Sequence, residues 1–86
     1  MKLVVAIVRD QDAGRAIDNL IGREYRATRI NTAGGFLKRG NATILIGVED
    51  EQVDDVLEVL QDTGRASGGE SRGVAFVLPV TATFKA

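Results

Sequence analysis

Arg26 and Thr28 stand two apart in YRATRINT, and Asn41 closes the glycine-rich turn AGGFLKRGN that follows. These residue types suit one kind of chemistry. A guanidinium can hold a phosphate through two parallel hydrogen bonds, and an Asn amide matches the donor and acceptor edge of adenine. Gly34, Gly35 and Gly40 leave backbone N–H groups accessible beside Lys38 and Arg39, which would make an anion cradle. Phe36 and Leu37 are large apolar side chains where a turn normally avoids them, so they should either grip a flat ligand or dock on a partner. Plainer readings compete at each place: a turn that needs glycine for its shape, a solvated Arg and Thr on a strand, and hydrophobes covered by a neighbouring subunit.

Other chemistry is harder to build from this chain. It has no histidine and no cysteine, which removes the commonest general base, the thiolate nucleophile and the usual metal ligands. Ser67, Ser71 and the threonines have nothing to activate them as nucleophiles. Asp10 and Asp12, and then Glu49, Asp50 and Glu51, fall where helices should start, so capping and dipole roles account for them. No catalytic residue and no metal site is expected. A net charge of −1 supplies no broad positive field, so generic binding to nucleic acid or to an anionic membrane is not expected. RGVAFVLPV, Arg72 to Val80, has some likeness to the RNP1 box of RNA-recognition motifs. That box belongs on the third strand and carries stacking aromatics, whereas NATILIGV here has none. RDQDAG likewise does not look like the phosphate loop of acylphosphatases.

The elements that must position these residues follow from periodicity. Lys2 to Arg9 is a β-branched apolar run and reads as a buried strand; it is also too short for a signal-peptide core or a membrane span, which makes the cytoplasm the default location. Ala13, Ala16, Ile17, Leu20 and Ile21 line one face of a helix over about Gln11 to Glu24. Tyr25 to Thr32 alternates, with Arg26, Thr28, Ile30 and Thr32 on one face, and pairs through a hairpin with a strand over Asn41 to Glu49. Asp50 should cap a second helix, with Val53, Val56, Leu57 and Leu60 on its apolar face and Gly64 as its stop. A polar connection, Arg65 to Arg72, leads to a last strand over Gly73 to Val80, where Pro79 marks an edge or an end.

At 86 residues the chain is expected to form a single domain over 1–86. The order βαββαβ predicts an α+β, ferredoxin-like fold, a four-stranded antiparallel sheet with two helices on one face. Yet Leu3 to Val8, Ala42 to Val48 and Val74 to Val80 are apolar at nearly every position, so both faces of the sheet should be dry. Two helices cover one face. The other is expected to self-associate in a symmetric oligomer.

Taken together, VVAIVRDQD, YRAT, AGGFLKRGN, ILIGVEDEQVDDVLEVL and GVAFVLPV resemble the PII-like cyclic-di-AMP receptor proteins of bacteria, over most of the chain. The resemblance implies a homotrimer with cyclic-di-AMP in clefts between subunits, no catalysis, no cofactor beyond that ligand, and a downstream protein partner of unknown identity. It carries the ligand contacts onto Arg26, Ala27, Thr28, Gly35, Phe36, Leu37, Asn41, Gly47 and Phe76. In that picture Thr28, Asn41 and the backbone beside Gly47 hold adenine, Phe36, Leu37 and Phe76 pack on base faces, and Arg26 meets phosphate with the N–H groups of the turn. The chain departs from the family at three places: a loop shortened to about Asp62 to Arg72, an acid at Glu24 in place of Asn, and Lys85 in place of a glutamine. A sensor of ATP, ADP or AMP, or a trimeric interaction module without ligand, are the alternatives.

Overall fold

In the computed structural model, which describes residues 1–30, 40–66 and 73–81, the expected order is realised. Strand β1 (Lys2–Arg9) leads into helix α1 (Asp10–Gly22), then β2 (Arg26–Ile30), β3 (Asn41–Val48), a single 3-10 turn at Asp50–Gln52, helix α2 (Val53–Ala66) and β4 (Val74–Pro79). The sheet runs β2-β3-β1-β4 and every neighbouring pair is antiparallel. Pro79 ends an edge strand, where its missing N–H costs no ladder bond.

Alternation along β1 and β3 divides their side chains between two faces. Val4 and Ala6, with Ala42, Ile44, Ile46 and Val48, point to the helices and meet Ala13, Ala16 and Leu20 of α1 and Val56 and Val59 of α2. This is the core. It is tied at its edges by polar links from helix to helix and from helix to strand. Asn19 Nδ2–H donates to Thr63 Oγ1 at 3.0 Å, and Arg29 Nη2–H donates to Asp10 Oδ1 at 2.8 Å.

The helix ends differ from expectation for physical reasons. α1 begins at Asp10, one residue early, and ends at Gly22. Arg23 and Glu24 instead form its closing turn, with the Glu24 N–H donating to Ile21 O and the Tyr25 N–H to Leu20 O. This is the Schellman arrangement, and it requires the left-handed backbone seen at Glu24, φ 68°. Tyr25 is thereby drawn out of β2. α2 does not stop at Gly64 but continues to Ala66. Its last turn is held by Thr63, whose hydroxyl donates to Val59 O at 2.9 Å while accepting from Asn19, so packing on α1 overrides the weak helix propensity of glycine. Val59, rather than Leu60, is the buried member of that turn, with Leu60 only partly covered. The lead into α2 is capped from Glu49, not Asp50: the Glu49 N–H donates to Gln52 Oε1 at 2.9 Å. Asp50 lies 3.3 Å from the main-chain nitrogen of Met1.

Candidate functional site

The sheet face away from the helices can be described in rows, because residues paired across strands share a face. One row reads Arg26, Gly47, Leu3, Leu78; the next Thr28, Leu45, Val5, Phe76; the third Ile30, Thr43, Ile7, Val74. Asn41 follows on the same face, opposite Arg9. The face is apolar through its middle and carries its hydrogen-bonding groups along the β2/β3 side. β4, by contrast, is exposed along its whole length, with Phe76 at 53% and Leu78 at 48%.

The expected site residues are therefore only partly assembled. Arg26, Thr28, Asn41 and Gly47 share the open face on adjacent strands. They form a strip rather than a pocket, since Asn41 and Gly47 lie roughly 20 Å apart along β3 at about 3.3 Å per residue. Phe76 stands at the opposite edge of the row that begins with Thr28, three strand spacings away, or about 14 Å. Ala27 falls on the other face, beside Ile46, and packs against the core. Any ligand contact on the open face would use its main chain. Gly35, Phe36 and Leu37 lie outside the described residues.

Gly47 has a particular meaning here. A methyl group built on it would meet nothing within 4 Å, so no neighbour in the chain demands glycine at that place. Glycine weakens a central strand, and at such positions it often marks a bulge, a bend or the close approach of a ligand or another backbone. Gly40 is different: its φ of 89° is a turn requirement, and its carbonyl accepts the Asp10 N–H at 2.7 Å, which fixes the start of β3 against the start of α1.

Arg9, Arg23, Arg29 and Arg65 are paired with Asp12, Asp55, Asp10 and Asp62, while Arg26 is exposed and enters no ion pair among the described residues. The start of β2 is anchored by Asp55 on α2, which accepts from Arg23 and from the Tyr25 hydroxyl, the latter at 2.6 Å. That hydrogen bond, then burial and the Asp55 charge, raise the Tyr25 pKa above its ordinary value of 10.0, although Arg23 opposes the shift. Among the described residues, no cluster of acidic side chains is arranged to hold a metal, and no helix is long and apolar enough to cross a membrane.

Sequence reasoning missed two features. Arg9 stands opposite Asn41, a neighbour that only the β1/β3 register reveals. Asp12, expected as a helix-start acid, is in fact buried and faces a cavity on the helix side. Its spacing from the apolar stripe, one residue before Ala13, was the signal available.

Comparison with known proteins bears on the family and the fold. A family model described as "Cyclic-di-AMP receptor" matches residues 1–85. A crystal structure of a functionally unknown protein from Pediococcus pentosaceus ATCC 25745 superposes with a TM-score of 0.79 at 36% sequence identity, over 98% of this chain and 95% of that one.

Proposed function

Since the chain belongs to the cyclic-di-AMP receptor family, we propose that it is a cytoplasmic, non-catalytic signal protein that binds cyclic-di-AMP in clefts between the subunits of a homotrimer. The observation that supports this most is the split of the site across the open sheet face. Thr28 and Phe76 share a row but lie at its two ends, with Leu45 and Val5 between them. A single copy cannot bring Phe76 against a base held by Thr28. A second copy, seated on the apolar middle of the face, can supply it, and the same seating removes the half-exposed surface of Leu3, Val5, Ile7 and Leu45 from water.

In this reading Thr28 and Asn41 supply hydrogen bonds to the adenine edges, Gly47 lets the ligand approach the β3 backbone, and Arg26 meets a phosphate. Phe36 and Leu37 from one copy and Phe76 from another cover the base faces. Ligand occupancy reshapes the adjoining turns, and a downstream protein reads the result.

The experiment is calorimetric titration of the full chain with cyclic-di-AMP, cyclic-di-GMP and ATP in parallel, with light scattering to give the oligomeric mass. Saturable binding of cyclic-di-AMP alone, one per subunit in a trimer, is the expected result. Preference for ATP would make it a sensor of the mononucleotide pool, and silence with all three would leave an interaction module without ligand.

A further inference from the structure

Strand β2 lies at an edge of the sheet, so β3 holds it from one side only. Its first residue, Arg26, pairs with Gly47, which has no side chain to buttress the guanidinium from across the strands. One ladder pair at the end of an edge strand is a thin constraint for a group that has to meet a ligand, since binding groups need placing to within about 0.5 Å. A second constraint is needed.

Helix α2 supplies it. Asp55 stands in the first turn of that helix and divides its carboxylate between two residues of the α1/β2 corner: Oδ1 accepts from Arg23 Nη1–H, and Oδ2 accepts from the Tyr25 hydroxyl at 2.6 Å. The two donors flank Glu24, whose left-handed backbone makes the corner, and Tyr25 immediately precedes Arg26. A carboxylate with a donor on each oxygen fixes direction as well as distance. The plainer role for Asp55 is that of an acid at a helix start, which the dipole favours. Asp54, exposed in the same turn, already fills that role and leaves the turning of Asp55 onto the corner unexplained.

We propose that Asp55 is a positioning residue for the ligand strip: by clamping Arg23 and Tyr25 it sets the start of β2, and so the reach of the Arg26 guanidinium toward a phosphate. The assignment rests on the reading of the strip as a cyclic-di-AMP site. It adds that the fit of the phosphate is set from the helix side of the sheet, while the phosphate itself is met on the open face.

The test makes one chemical change at two neighbouring positions. Asp55→Glu and Asp54→Glu each keep an acid in the first turn of α2, but only the former lengthens the clamp by a methylene. In calorimetric titration of the full chain with cyclic-di-AMP, Asp55→Glu should weaken binding about fivefold or more and Asp54→Glu should leave it unchanged, with denaturation curves showing each variant fully folded in the same buffer. Tyr25→Phe, which removes one arm of the clamp, should fall between them. In amide-resolved NMR of the ligand-free chain, Asp55→Glu should move the amides of Arg26, Ala27 and Thr28, and Asp54→Glu should not. Parent affinity in both Asp55→Glu and Tyr25→Phe overturns the inference and leaves the nucleotide reading standing, as does an equal loss in Asp54→Glu and Asp55→Glu. A parent chain that binds no cyclic-di-AMP sinks that reading instead, and the ligand-free amides then decide the clamp: unmoved at Arg26 to Thr28, they overturn it.

Discussion

Strand β3 is one run of residues with two different neighbours. Toward the helices, Ala42, Ile44, Ile46 and Val48 are each no more than 3% exposed. On the other side Asn41, Thr43 and Leu45 are half-buried and Gly47 is exposed. The chain covers its first face with its own helices and leaves the second open. Stability of the subunit should therefore reside on one face, and assembly and ligand binding on the other. The largest effect expected from any single change lies on the helix side. Ile46→Ala removes a fully buried side chain and should cost about 2–5 kcal/mol in urea denaturation. Leu45→Ala, one residue away, should cost far less in dilute protein, yet it should lower whatever part of the unfolding midpoint depends on protein concentration. Equal losses for the two variants, independent of concentration, would mean that the open face is already packed within the subunit.

The next largest effects test the open face as a ligand surface. Thr28→Ala and Asn41→Ala should each weaken cyclic-di-AMP binding about tenfold or more, if each deletes a buried hydrogen bond worth roughly 1.4 kcal/mol. Gly47→Val should be harmless or mildly stabilising to the isolated subunit, because its side chain enters open space, while obstructing whatever approaches β3. Calorimetry and denaturation on the same samples separate the two effects. Undiminished affinity in both Thr28→Ala and Asn41→Ala would remove the strip from the site.

The same contrast explains what could be read from the sequence. The element order follows from the regular helix stripes and apolar runs, and the assignment of Arg26 and Thr28 to one face from the two-residue period of any strand. The apolar character of both sheet faces was legible from the unbroken apolar runs of β1, β3 and β4. Helix ends were not, because they depend on partners distant in the chain: α2 runs through Gly64 since Thr63 is held by Asn19, and α1 closes at Gly22 since Tyr25 docks on the core beside Asp55. Nor could the sequence show that Phe76 and Thr28 stand at opposite ends of one row, which requires the strand order. Ala27 shows the limit of carrying residues over by motif, because its place beside Thr28 in the chain puts its methyl on the opposite face.

Glu24 offers a smaller test, and it bears on which face the residue serves. The left-handed backbone at Glu24 and its place at the negative end of α1 give two local reasons why Asn or Gly suits the place better. Glu24→Gly should raise stability by about 0.5–1 kcal/mol by relieving the backbone. Glu24→Gln retains the conformational cost and removes only the charge. If the acid repels a doubly charged ligand, Glu24→Gln should tighten cyclic-di-AMP binding with much less gain in stability. A full stability gain from Glu24→Gln would instead assign the penalty to charge rather than to backbone shape.

The smallest effect concerns the corner that anchors β2, and its sign can be worked out. The Tyr25 hydroxyl donates to Asp55, and this bond, with burial and the carboxylate charge, raises its pKa above 10.0. The folded protein thus holds that proton more tightly than the unfolded chain does. The resulting stabilisation is fully present below pH 10, falls as the unfolded chain's tyrosine ionises, and is lost once pH passes the raised value in the folded state. Tyr25→Phe should lose stability less steeply with pH above 10 than the parent chain, a comparison that cancels the ionisation of lysines in the same range. Because the chain has a single tyrosine, the near-ultraviolet absorbance of phenolate reports this group alone. A titration midpoint at the ordinary tyrosine value in the folded protein would show that Asp55 does not hold the hydroxyl in solution. The start of β2, and with it the position of Arg26, would then need another anchor.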